Sequence, residues 1–313
     1  MFDRLLVPTD FSAPSDAALV YARELAGTFG AKLHVLHVLG NEFLRAVVTD
    51  PHDLEATALR HLQERLTDDD RRRFQVVPAI ERSDAPQDEI VSYARAHTID
   101  LIVMGTHGRT GMAHALMGSV AETVLRTSPC PVLTLREAPR ARKGTDAGRR
   151  RILVATDFSE PSDAALDCAR VLAAPMGAAL HLLHVLEDPR VSGSFGSEVY
   201  YLADSPATRT TRLKEAQERL AHRITADDRA RLRATTEVIF GSGASTIVEY
   251  AADNEFNLIV MGTHGRSGIA HLLMGSVAEA VVRRASCPVL TLRAARGSVP
   301  QSVADPRTAR ATA

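Results

Sequence analysis

The chain carries one chemically suggestive pattern twice. Leu101–Glu122 reads LIVMGTHGRTGMAHALMGSVAE and Leu258–Glu279 reads LIVMGTHGRSGIAHLLMGSVAE. Each holds Gly-x2-Gly-x9-Gly-Ser directly after an apolar run: Gly105, Gly108, Gly118 and Ser119 in the first copy, Gly262, Gly265, Gly275 and Ser276 in the second. Glycines let a backbone turn tightly and approach a ligand closely. Gly118-Ser119 opens a helix whose amides and partial positive charge suit an anion, and the Ser119 hydroxyl adds a donor. Arg109 supplies a full positive charge, as Arg266 does in the second copy. The chemistry this points to is phosphate binding, at two places. The spacing is neither Gly-x4-Gly-Lys-[Ser/Thr] nor Gly-x-Gly-x2-Gly after the first strand. Asp10, at the end of the first apolar run, stands on the neighbouring wall of the same crevice and suits ribose hydroxyls; Asp157 is its equivalent. Three structural turns would explain one such loop equally well. Two copies that keep the glycines with Arg, Ser and Asp favour a ligand, although recent duplication would also keep them.

The elements that must position these residues repeat as well. LLVPTDFSAPSDAAL at Leu5–Leu19 matches ILVATDFSEPSDAAL at Ile152–Leu166, AKLHVLHVL matches AALHLLHVL, and CPVLTLR occurs at Cys130–Arg136 and Cys287–Arg293. Each unit is about 140 residues, large enough to bury its own core. The expected organisation is a domain at 1–138, a linker at 139–150, a second domain at 151–295 and a disordered tail at 296–313. The basic, Pro- and Gly-containing stretch Glu137–Arg150 reads as a flexible connector. Within the first unit the pattern predicts strands at Arg4–Val7, Leu33–Val38, Phe74–Ala79, Leu101–Met104 and Val132–Arg136. Helices are expected at Asp16–Phe29, Leu54–Leu66, Gln87–His97 and Ser119–Arg126, the first preceded by N-cap residues around Ser12 and ended by Gly30. Strand–helix alternation with near-continuous apolar strands gives a mostly parallel, doubly wound α/β sheet covered on both faces. In such a sheet ligands sit at the carboxyl ends of the strands, at the topological switch point.

Composition excludes several classes. The chain is 45% hydrophobic and 24% charged, with a formal net charge of -1, which argues against general nucleic-acid or anionic-membrane affinity. No apolar run is long enough for a membrane span, and the N-terminus lacks a signal-peptide pattern; a cytoplasmic protein is expected. Cys130, Cys168 and Cys287 read as small buried thiols. The histidines repeat as His34/His181, His37/His184, His107/His264 and His114/His271. His34 and His37 point to opposite faces of a strand and cannot share a metal there. His107 and His264 fall inside the glycine loop, near any ligand. Asp68–Asp70 followed by Arg71–Arg73 reads as a solvated helix end.

PTDFS at the first strand, LHVL at the second, MGTHGR with GSVAE beyond it and CPVLTLR at the end resemble the universal stress protein family, over Arg4–Arg136 and again over Arg151–Arg293. The resemblance implies two flavodoxin-like sheets of strand order 3-2-1-4-5 in tandem, and it is to the branch that binds ATP. Carried over by position, it implies an adenine pocket of Pro8, Asp10 and Val38, and phosphate contacts from Gly105, Gly108, Arg109, Gly118, Ser119 and Val120. In the second copy the matching residues are Ala155, Asp157 and Val185, then Gly262, Gly265, Arg266, Gly275, Ser276 and Val277. Met104 and Met261 line the pocket beside base or ribose. Two departures stand out: Ala155 replaces the Pro8 position, and Gly241-Ser242-Gly243 contrasts with Arg82-Ser83-Asp84 in the first copy. The implied function is a regulatory ATP-binding protein of stress adaptation, with Mg2+ bridging the phosphates. The absence of a P-loop lysine and of a Glu base at a fixed motif position favours binding over turnover. A slow Mg2+-dependent ATPase or nucleotide-transfer enzyme and a pseudo-dimeric interaction scaffold are the alternatives. Pairing of the last strands, Val132–Arg136 with Val289–Arg293, is expected to make an internal pseudo-dimer, and two chains a homodimer; no downstream protein partner is legible.

Overall fold

A computed structural model describes residues 2–40, 51–106, 117–136, 150–187, 205–263 and 274–293. The linker stretch 137–149, the tail from 294 and the loop segments 107–116 and 264–273 lie outside the described residues. With them go Gly108, Arg109, Gly265 and Arg266, and His107, His114, His264 and His271.

The first half runs β1 (Arg4–Pro8), α1 (Ala13–Phe29), β2 (Lys32–Leu39), α2 (Pro51–Arg65), α3 (Asp68–Arg73), β3 (Val77–Arg82), α4 (Pro86–Ala96), β4 (Leu101–Gly105), α5 (Ser119–Thr127) and β5 (Val132–Leu135). The second half repeats it: β6 (Arg151–Ala155), α6 (Glu160–Met176), β7 (Ala179–Glu187), α7 (Pro206–Arg223), α8 (Ala226–Leu232), β8 (Thr235–Gly241), α9 (Gly243–Asp253), β9 (Leu258–Gly262), α10 (Ser276–Arg284) and β10 (Val289–Leu292). Period-two burial sorts the strands between two cores. Leu5, Val7, Leu101 and Val103 meet Leu19, Leu25 and Leu62 of α1 and α2. Leu6, Ile102 and Met104 meet Ile90, Val91, Val124 and Leu125 of α4 and α5. Gly30 ends α1 at φ 67°, a conformation open to glycine at no steric cost.

Each half has the order 3-2-1-4-5, with parallel neighbours, but the halves do not form two separate sheets. A single ten-stranded sheet runs β3-β2-β1-β4-β5-β10-β9-β6-β7-β8. Its one antiparallel step is β5 against β10, centred on Leu133 opposite Leu290. Thr134 Oγ1 donates to the Val289 carbonyl at 3.2 Å and Thr291 Oγ1 to the Val132 carbonyl at 3.3 Å. Both strands are buried along their length, so leaving either as an edge would strand buried peptide groups. Both cores run across the seam and include residues of both halves.

Two expectations need correction. The third strand begins at Val77, not Phe74, because Phe74 is the buried C-cap of α3. The Asp-Asp-Asp-Arg-Arg-Arg run is not merely a solvated end. Thr67 and Asp70 form a reciprocal capping box, and Asp70 is 3% exposed. Arg23 Nε and Nη2 each donate to its carboxylate at 2.8 Å. Thr225, Asp228 and Arg170 repeat the device. Burial alone would raise the pKa of Asp70 and of Asp228, but the bonds from arginine and threonine outweigh it and hold both carboxyls below the usual range. A charge run looks uniform in sequence; only docking against α1 singles out the one carboxylate that faces inward.

Candidate functional site

The chain leaves β1 through α1 on one face and reaches β4 through α4 on the other. The carboxyl ends of β1 and β4 therefore bound the switch-point crevice, where the flanking helices diverge. Pro8 ends β1 and Met104 is the last residue but one of β4; in the second half, Ala155 lies in register with Met261. Both methionines are buried, on the face covered by α4 and α5 or by α9 and α10. Val38 and Val120, with Val185 of the second half, pack partly buried against the same core, while Val277 is 36% exposed. The structure thus brings Pro8, Val38, Met104, Gly118, Ser119 and Val120 to one end of one face.

Gly118 caps α5 in an extended conformation, φ −63° and ψ 143°; Gly275 caps α10 at −61° and 141°. The Gly118 amide donates to the Thr106 carbonyl at 2.8 Å, and the Gly275 amide to Thr263 at 2.7 Å. These bonds tie each helix start to the strand end beside it. The next amides, of Ser119 to Ala121, have no acceptor within the helix, and Ser119 is exposed at its first position. An anion placed there meets several N–H donors and the positive helix end.

Gly105 and Gly262 differ from the sequence expectation. Neither adopts a left-handed conformation. A Cβ at Gly105 would stand 2.8 Å from Pro14 Cβ, 3.0 Å from its carbonyl carbon and 3.1 Å from its oxygen; Gly262 meets Pro161 at the same distances. The first glycine of each motif makes room for the start of α1 or α6, a packing role the spacing does not reveal.

The turn after β1 is held by its own side chains. Phe11 sits at φ 65° and Phe158 at φ 66°, a costly region for a bulky residue. Ser12 is the N-cap of α1, yet its hydroxyl makes no capping bond. It donates instead to Asp10 Oδ1 at 2.5 Å, and its amide donates to the same oxygen at 3.1 Å. Asp157 and Ser159 repeat both distances. His37 Nδ1 lies 2.7 Å from the Thr9 carbonyl, which can only accept, so that nitrogen carries a proton. Its ring lies tilted against Phe11, centroids 4.3 Å apart, and Arg65 covers Phe11 at 4.8 Å. Sequence reasoning missed these supports of Asp10, although Thr9, Phe11 and Ser12 all belong to the repeated Thr-Asp-Phe-Ser.

His34 faces the other way from His37, as expected, and its Nδ1 lies 3.0 Å from the Tyr93 hydroxyl. His181 bonds Thr235 at 2.7 Å and Tyr250 at 2.8 Å. Burial pushes both imidazoles from the ordinary 6.5 down to about 4, helped by His97, Lys32 and Arg4 around His34 and by Arg151 beside His181. The fold therefore prefers them neutral. Between those two values the unfolded chain takes up protons that the folded chain refuses, so stability falls as pH drops through that window. Asp70 and Asp228 act only below the ordinary carboxylate value, outside it. The urea midpoint is expected to decline from about pH 7 to about pH 4.5, and His34→Asn with His181→Asn to flatten the decline. An unchanged slope in that variant refutes the assignment. The three cysteines are free, and burial pushes Cys130 up to about 11 and Cys168 and Cys287 to about 12, which keeps the thiols inert at neutral pH.

Among the described residues no cluster of three or more His, Cys, Asp or Glu could hold a metal ion, and no helix is long and apolar enough to cross a membrane. A cavity of about 390 Å³ lined by Arg4, Lys32 and Arg73 opens at the amino ends of the strands, away from the crevice. Arg4 there bonds Thr98, and Arg73 bonds Asp69.

Fold and topology together define a duplicated α/β protein with a crevice at the switch point of each half. The universal stress protein family matches residues 1–136 and 148–293, and the chain belongs to that family. A universal stress protein of Methanocaldococcus jannaschii is 31% identical over 142 residues, 44% of this chain and 84% of the relative. One from Mycobacterium tuberculosis is 28% identical over 195 residues, 62% of either chain. The match thus spans less than two thirds of that mycobacterial relative. The crystal structure of a universal stress protein from Archaeoglobus fulgidus superposes with a TM-score of 0.67 at 22% identity, covering 94% of this chain and all of its own. One from Pseudomonas aeruginosa gives 0.63 at 20% identity, covering 93% of each. At these identities the likeness is one of fold.

Proposed function

We propose that each half binds one ATP at its switch-point crevice and that the nucleotide acts as a regulatory ligand, with little turnover, in a cytoplasmic stress-adaptation protein. One observation carries this reading: in both halves a Gly-Ser helix start stands at the same crevice as an aspartate held by two bonds from a serine. The helix start and its serine would take the phosphates, with Gly108, Arg109, Gly265 and Arg266 of the loops contributing. Asp10 and Asp157 would accept from ribose hydroxyls. Pro8, Val38 and Met104, or Ala155, Val185 and Met261, would form the apolar wall against the base, and Val120 and Val277 would flank the phosphates. Mg2+ would ride on the ATP phosphates.

The β5–β10 pairing supports an internal pseudo-dimer of domains 1–138 and 151–295. Since the halves meet antiparallel, the carboxyl ends of β1 and β4 point one way along the strands and those of β6 and β9 the other, so the two crevices would open in opposite directions. Association of two chains into a homodimer is proposed on the family likeness alone.

Titration calorimetry with Mg-ATP is expected to give about two sites per chain. A ratio near one would mean that one site is lost, the candidate being the second half, where Ala155 replaces proline. No heat at about millimolar ATP would end the nucleotide reading. Single-turnover and steady-state assays separate a bound regulator from a slow ATPase.

A further inference from the structure

We propose that the two base pockets differ in selectivity: Glu81 makes the first prefer a base bearing an exocyclic amino group, and Ile239 leaves the second indifferent there. The inference rests on the nucleotide reading above and adds what distinguishes the halves.

The strand register places these residues. Val38 of β2 pairs with Glu81 of β3, and Val185 of β7 pairs with Ile239 of β8. Residues in register on neighbouring strands project from the same face of a sheet. Val38, Val185 and Ile239 all pack against the core beneath α4 and α5 or α9 and α10. Ile80 packs into the opposite core, so period-two alternation sends Glu81 to the face of Val38. The charge of Glu81 also bears on the Tyr93 hydroxyl of α4, a helix that covers the same face. The position beside Val185 is therefore hydrocarbon in the second half, where the carboxylate on that face, Glu237, stands two residues nearer the amino end of β8 opposite Leu183, whereas in the first half the carboxylate stands directly beside Val38.

Glu81 is half-buried. Among the described residues no hydrogen bond or ion pair engages its carboxylate; its neighbour Arg82 pairs with Glu55 at 2.6 Å instead. A carboxylate is acceptor only. A 6-amino purine lying on Val38 offers an N–H across the short step to β3, whereas a 6-oxo purine turns an acceptor toward the carboxylate. A site built around one hydrogen bond rejects the analogue that lacks it far more strongly than an apolar wall can. Ile239 has no such means of discrimination.

The test uses ATP and inosine triphosphate, which differ at the 6-position of the base, in the full chain with one site silenced at a time. Gly275→Val leaves the first site and Gly118→Val leaves the second. By calorimetry, the first site is expected to favour ATP at least about tenfold, and the second to show a ratio near one. Glu81→Ile should bring the first ratio near one, and Ile239→Glu should raise the second. Glu81→Gln keeps the side-chain shape and offers both donor and acceptor, so it should also erase the preference, while circular dichroism reports folding. Equal ratios at both sites, or a preference that survives Glu81→Ile and Glu81→Gln, overturn the inference while leaving nucleotide binding intact. No ATP uptake by the unmodified chain overturns the nucleotide reading and this inference with it.

Discussion

Gly118→Val combined with Gly275→Val is expected to leave the protein folded and to abolish ATP binding. The fold should tolerate both changes because each glycine is an extended N-cap, at φ −63° and −61°, a region open to valine. Replacing a good N-cap by a poor one costs about 1 kcal/mol per helix, small beside the ~5–15 kcal/mol of a typical domain. The ligand should not tolerate them. A branched side chain at the cap fills the space through which phosphate oxygens reach the amides of Ser119–Ala121 and Ser276–Ala278. Losing even one or two charge-assisted bonds, each about 1.5–3 kcal/mol, weakens binding at least about tenfold; losing the approach altogether should remove it. Ser119→Ala is the milder control, with a loss of at most about 1.5–3 kcal/mol from one hydroxyl donor. Calorimetry and circular dichroism decide the matter together. A folded double variant that binds ATP with unchanged affinity would make the loops structural.

Gly105→Ala combined with Gly262→Ala should do the opposite: lower stability and spare the chemistry of whatever remains folded. One methyl at either position would meet proline backbone at 3.0 and 3.1 Å. That backbone belongs to a helix packed directly on the strand carrying the glycine, so the contact cannot be relieved by a rotamer change. Overpacking of this kind costs about 1–3 kcal/mol per site, and the two sites lie in separate halves, so roughly 2–6 kcal/mol is expected in all. The measurement is a denaturant midpoint at constant slope, followed by ATP stoichiometry on the folded fraction. Unaltered stability with lost binding would exchange the roles assigned to the first and third glycines of the motif.

The contrast between these variants shows where a spacing pattern stops being informative. Gly-x2-Gly-x9-Gly-Ser marked a strand end and the helix start that follows it, and the repeated Leu-Ile-Val-Met runs marked buried strands, because burial on both faces needs unbroken apolar sequence. Helix ends followed local chemistry too: Gly30 and Gly177 stop α1 and α6 in the left-handed conformation. Sequence alone therefore settled the duplication and the alternation of strand and helix. Tertiary structure decided the rest, for reasons that are not local. Gly105 is glycine because Pro14 is close in space. Ser12 gives its hydroxyl to Asp10 and not to its own helix because the turn at Phe11 brings the carboxylate within reach. Asp70 is the buried member of a charge run because Arg23 reaches it from α1. Two sheets became one because β5 and β10 bury each other's peptide groups. Each of these depends on which elements touch across many residues of chain, and one residue's neighbours in space are not written in its neighbours in sequence.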